Sequence, residues 1–70
     1  MITSEQIKAK LQEALKYSGT SQSEIGRKIG VKPQTVFQYF NGEIMPSLDT
    51  FANLCEVLDL DPVEILCLKR

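Results

Sequence analysis

Two glutamines, Gln34 and Gln38, stand four residues apart in the stretch PQTVFQYFNG, with Thr35 and Phe37 between them. On a helix that spacing puts both amides on one surface. A long amide carries a donor and an acceptor side by side, which suits bidentate pairing with adenine N6 and N7 in the major groove of B-form DNA. Phe37 adds apolar surface of the kind a thymine methyl accepts. Val36 and Tyr39, three apart, fall on the other side of the same helix, so the large apolar side chains divide between an inward and an outward face. Pro33, Gln34, Phe37, Gln38 and Asn41 make up the outward face, with Thr35 at its margin. The rival readings are plain solvation for the glutamines and a place at the core's edge for Phe37.

The elements around this stretch must hold it. The pattern predicts five helices and no strand, an all-α compact bundle forming a single domain over residues 1–70. The first opens at Thr3, whose hydroxyl and the Gln6 amide form a capping box, with Ile2 and Ile7 at the staple positions. Ile7, Leu11, Ala14 and Leu15 give it one apolar stripe, and Ser18-Gly19 ends it near Tyr17, which is expected to pack at the core or the helix end. Helix two runs Gln22 to Ile29 behind Ser21, with Glu24 completing a second capping box and Ile25 and Ile29 facing inward. Gly26 in its middle costs roughly 1 kcal/mol relative to alanine, which points to another helix crossing closely there. Gly30 breaks the helix and Val31 plugs the core.

Helix three begins at Pro33, where a missing N–H costs nothing, and stops at Asn41-Gly42, a strong turn pair. Ser47 is the expected cap of helix four, whose Leu48, Phe51, Ala52, Leu54, Cys55 and Leu58 form a broad apolar face. Asp61-Pro62-Val63-Glu64 opens helix five with a cap and a proline at the first position, and Leu60 and Ile65 are its staple pair. Lys69-Arg70 is expected at that helix's negative end.

The stretch from Ser21 to Gly42, with Gln22, Glu24-Ile25, Gly30-Val31, Val36 and Asn41-Gly42, resembles the Cro/repressor-type helix-turn-helix of phage and bacterial regulators (lambda-repressor-like, XRE family). The likeness continues through Pro46-Ser47, Leu54 and Leu58 to Leu66, and covers roughly residues 4 to 66. It implies a five-helix fold whose second and third helices form a DNA-binding unit that binds as a two-fold dimer. Carried over by position, the DNA-contacting residues are Gln22, Lys32, Pro33, Gln34, Thr35, Phe37, Gln38 and Asn41. Gln34 and Gln38, with Thr35 and Phe37, would read bases, while Gln22, Lys32 and Asn41 would rest on phosphates. The sequence departs from the family at three places. Gly26 stands where alanine is usual, and Glu43-Ile44-Met45 replaces a commonly basic loop. Leu15 and Phe40 occupy the positions of a frequent arginine–glutamate pair and are expected to touch.

Net charge is −1, but six basic groups against three acids in residues 1–42 make that part +3, and two against six in residues 43–70 make the rest −4. Such asymmetry matters more to a polyanion than the total. The acidic half is expected to face away from DNA, leaving Ile65, Leu66 and Leu68 for a symmetric contact with a second copy. Without histidine, and with Cys55 and Cys67 as lone free thiols, no metal, cofactor or catalytic constellation is expected. No apolar run reaches the roughly 18 residues of a membrane span, and MITSEQIKAK lacks a secretory core, so a cytoplasmic protein is expected. The alternative function is a protein-interaction module on the same fold, an antirepressor or antitoxin acting by binding another regulator.

Overall fold

Thr3 starts the first helix as its position requires. Its hydroxyl accepts the Gln6 N–H at 3.2 Å, and the Gln6 side chain accepts the Thr3 N–H at 2.8 Å. The computed structural model describes residues 1–69, and among them the order is α1 (Ser4–Tyr17), α2 (Gln22–Ile29), α3 (Pro33–Phe40), α4 (Leu48–Leu58) and α5 (Pro62–Ile65), with no strand. No helix among these residues is long and apolar enough to cross a membrane. Arg70, expected beside Lys69 at a helix end, lies outside the described residues.

One core joins all five helices. Leu11 and Leu15 of α1, Ile25 of α2, Val36 and Tyr39 of α3, Leu54 of α4 and Ile65 of α5 are buried together. Ile7, Ala14, Ile29, Val31, Phe40, Phe51, Cys55, Leu58 and Leu60 close around them, each partly exposed. α3 lies between α2 and α1, α4 packs on α2, and α5 packs on α1. Phe40 is therefore half-buried against the cluster that contains Leu15, and does not stand free in solvent as an unmatched apolar group would.

Four expectations for α1, α2 and α4 need correction. Ser21 caps α2 by accepting the Glu24 N–H at 3.1 Å, but the Glu24 carboxylate turns instead to Lys28 at 3.3 Å, so the second capping box is only half formed. Ser47 stands at the cap of α4, yet its hydroxyl donates to Asp49 Oδ1 at 2.6 Å and lies 3.0 Å from Thr50 Oγ1 rather than receiving a backbone N–H. Tyr17 is not packed at the core: it is 85% exposed. On α4, Leu48 is 86% exposed and Ala52 is exposed too. At 3.6 residues per turn Leu48 and Ala52 stand about 120° and 160° round from Leu54, too far to share its burial.

Helix five is shorter than its apolar residues suggest. It ends after one turn at Ile65, where Cys67 adopts φ +60°. The N–H of Cys67 bonds Glu64 O at 3.1 Å and that of Leu68 bonds Val63 O at 3.0 Å, the paired bonds of a Schellman stop. Ile65, expected at a dimer contact, is a core residue, 2% exposed where α5 packs on α1. Of the other two residues expected at that contact, Leu66 is half-buried and Leu68 exposed.

Candidate nucleic-acid interface

The turn between α2 and α3 is fixed by two glycines with different roles. Gly30, at φ +76°, takes the left-handed stop of α2. Gly26 receives the N–H groups of both Gly30, at 2.8 Å, and Val31, at 2.9 Å, on its carbonyl. A Cβ on Gly26 would lie 2.6 Å from Val31 O, 3.4 Å from Pro33 N and 3.5 Å from Lys32 C. The close approach inferred at Gly26 is real; its nearest partner is the backbone of the turn, with the first residue of α3 just behind it. That contact sets the angle at which α3 leaves α2.

Pro33 then opens α3 at the first position, with Lys32 as an N-cap that makes no side-chain cap bond. Val36 and Tyr39 anchor the helix from behind, both buried. Burial of the Tyr39 phenol, and secondarily the charge of Asp49, raises its pKa above the ordinary tyrosine value, so it is a neutral anchor. At 100° per residue, Gln34, Asn41 and Gln38 lie opposite this pair and Phe37 lies beside them. Gln34 is exposed, Gln38 half-exposed, and Phe37 49% exposed. Neither glutamine amide has a hydrogen-bond partner among the described residues. Thr35, half-exposed, sits at the margin, with Lys32 and Pro33 exposed ahead of it.

Gln22 is the first residue of α2, half-exposed beside the Ser21 cap. A helix start leaves its leading N–H groups outside the ladder, so Gln22 brings an amide side chain to a place already favourable to anions. Arg27 and Lys28 in the last turn of α2 are exposed, adding cations near the turn that leads to α3.

Asn41 is differently placed. Its Nδ2 donates to Glu43 Oε1 at 3.1 Å and its Oδ1 accepts the Glu43 N–H at 3.1 Å. Both ends of the amide are held by the residue that brings a negative charge to this end of α3. The sequence showed Glu43 as an acid in a loop that is commonly basic in the family it resembles, but not that it binds Asn41.

Sequence reasoning missed Gln12. Its Nε2 donates to Phe40 O at 3.1 Å, tying α1 to the end of α3. Gln12 follows Leu11 on the flank of the apolar stripe in α1, a position that brings a polar side chain to the helix boundary without naming its partner.

A family model described as helix-turn-helix matches residues 9–65, which spans α2 and α3 with most of α1, all of α4 and all of α5. No curated protein and no solved structure matches the chain.

Proposed function

The chain belongs to the Cro/C1-type helix-turn-helix family of DNA-binding regulators, and from that premise we propose that it is a sequence-specific transcriptional regulator of phage or bacterial repressor type that reads the major groove with the outward face of α3. The observation that carries the reading is the pair of unbonded amides at Gln34 and Gln38, presented outward while Val36 and Tyr39 hold the helix from behind. Gln34, Thr35, Phe37 and Gln38 contact bases, and Pro33 starts the helix close to the groove. Gln22 and Lys32 position the fold on phosphates. Asn41 joins them only by releasing Glu43, so its part in binding is smaller than that of Gln22 or Lys32. The protein works in the cytoplasm, where its DNA is.

One copy measures 33 × 22 × 21 Å and presents one recognition helix. Reading two half-sites about 34 Å apart therefore takes two copies, and Leu66 and Leu68 are the apolar residues that the chain's end contributes to a homodimer. Selection of bound sequences from random duplex DNA tests function and symmetry together: a palindrome is expected, and recovery of no preferred sequence refutes the reading.

A second reading is favoured by one observation. Phe37, Ile44, Met45 and Leu48 are exposed apolar groups at and just beyond α3, with acidic Glu43 among them. That surface suits another regulator protein better than phosphate, as an antirepressor or antitoxin would require. Salt separates the two: log K for DNA falls by roughly 0.9 per phosphate neutralised for each tenfold rise in salt, whereas an apolar protein contact resists it.

A further inference from the structure

The last four carbonyls of α3, those of Phe37, Gln38, Tyr39 and Phe40, have no partner in the helical ladder. Three are closed by the chain that follows. The N–H of Asn41 donates to Phe37 O at 3.1 Å, that of Glu43 to Gln38 O at 3.0 Å, and that of Gly42 to Tyr39 O at 3.4 Å. The fourth is reached from a different helix, through the part-buried bond from Gln12 Nε2 to Phe40 O, 28 residues apart in sequence. Gly42, at φ +75°, makes room for it. A Cβ there would meet Gln12 Oε1 at 3.0 Å and its Cδ at 3.2 Å. One amide thus closes the helix end and lies against the glycine that turns the chain.

We propose that Gln12 is a positioning residue for DNA reading: by fixing the end of α3 to α1 it sets the approach of Gln38 to its base, and so contributes to sequence discrimination. This rests on the DNA-reading function proposed above. The start of α3 is held by the tight Gly26 turn, close to Gln34. Its end is held against α1 by Gln12, close to Gln38. A base-reading donor must be held within roughly 0.5 Å and 10–20° of its productive geometry. Loss of the Gln12 bond loosens Gln38 more than Gln34, so its effect is local to the base pairs read from that end.

The test compares the wild type with Gln12→Met, which keeps the length and removes the donor, and Gln12→Glu, which puts a carboxylate against the Phe40 carbonyl. Anisotropy measures binding to the selected duplex, to a scrambled duplex and to single-pair variants of the selected site, and circular dichroism confirms helix content. Wild-type preference for the selected duplex tests the underlying reading, and its absence refutes that reading alone. Given that preference, both variants are expected to fold, to bind the scrambled duplex as wild type does, and to lose roughly three- to tenfold in discrimination at the pairs sensitive to Gln38, the worth of one net hydrogen bond. Unchanged discrimination in either folded variant overturns the proposal, even with a lowered melting temperature. Failure of both variants to fold also overturns it, since Gln12 would then serve folding rather than reading.

Discussion

Replacing Gly26 by alanine sets two effects of opposite sign against each other. In an exposed helix the change stabilises by about 1 kcal/mol, because alanine loses less backbone freedom. Here the new methyl would sit 2.6 Å from Val31 O, roughly 0.7 Å inside the 3.3 Å at which carbon and carbonyl oxygen ordinarily rest. Overpacking of this kind costs roughly 1–3 kcal/mol, and the upper half of that range applies. The obstructing atom is backbone, in a residue whose own N–H is bonded to Gly26 O at 2.9 Å and which stands two positions before the start of α3. The clash wins by about 1–2 kcal/mol, a fall in Tm of roughly 5–15 °C for a domain of this size. Denaturant unfolding measures it, as a lower midpoint at unchanged slope. A Gly26→Ala protein more stable than wild type would refute the reasoning, and would mean that the turn yields freely. The result bears on function because this contact orients α3.

Gln34→Ala and Gln38→Ala are each expected to cost about 1–3 kcal/mol on the selected duplex with relaxed preference at one position, whereas Lys32→Ala should weaken all duplexes alike and reduce the salt slope by about 1. Equal losses on every sequence from the glutamine variants would place those amides on the backbone. Asp59 ends α4 at φ +55° and lies at the helix's negative end, so Asp59→Asn, which tolerates that backbone and removes the charge, should gain about 0.3–1 kcal/mol in thermal unfolding. The Asp49 carboxyl is held below the ordinary aspartate range, first by the Ser47 hydroxyl. A depressed folded pKa stabilises fully above the unfolded value and loses that effect as pH falls through the folded one. The wild-type advantage over Ser47→Ala should therefore be present above about pH 4 and vanish at lower pH, with the Asp49 titration in Ser47→Ala moving upward by NMR.

The caps and stops of this fold are written in local residues, which is why α1, α2 and α3 were legible with their boundaries. Thr3-Gln6, Gly30, Pro33 and Asn41-Gly42 each act within a few positions of themselves. The inward pair Val36 and Tyr39 was legible for the same reason, since helical phase alone separates it from Gln34 and Gln38. Sequence is weaker where phase must be combined with a partner surface. The apolar arc of α4 spans more than one neighbour can cover, and only packing shows that it centres on Leu54 and leaves Leu48 in solvent. Ile65 sits in the same way among apolar residues that all suit a dimer contact, and only the packing of α5 on α1 shows that it is the one turned into the core. Within the candidate site, the bonds of Gln12 to Phe40 and of Asn41 to Glu43 escaped notice. The first joins distant helices and the second opposes the expected role of its residue. Both lie at the same end of α3, where side chains from different parts of the chain meet.

The most direct test is a nuclear Overhauser measurement on the complex with the selected duplex, following the side-chain amide protons of Gln34 and Gln38. Cross-peaks from these amides to adenine amino or thymine methyl protons, which lie in the major groove, are the expected result. Side-chain resonances of both glutamines left unmoved at saturation, with the contacts falling on another face of the protein, would contradict the account.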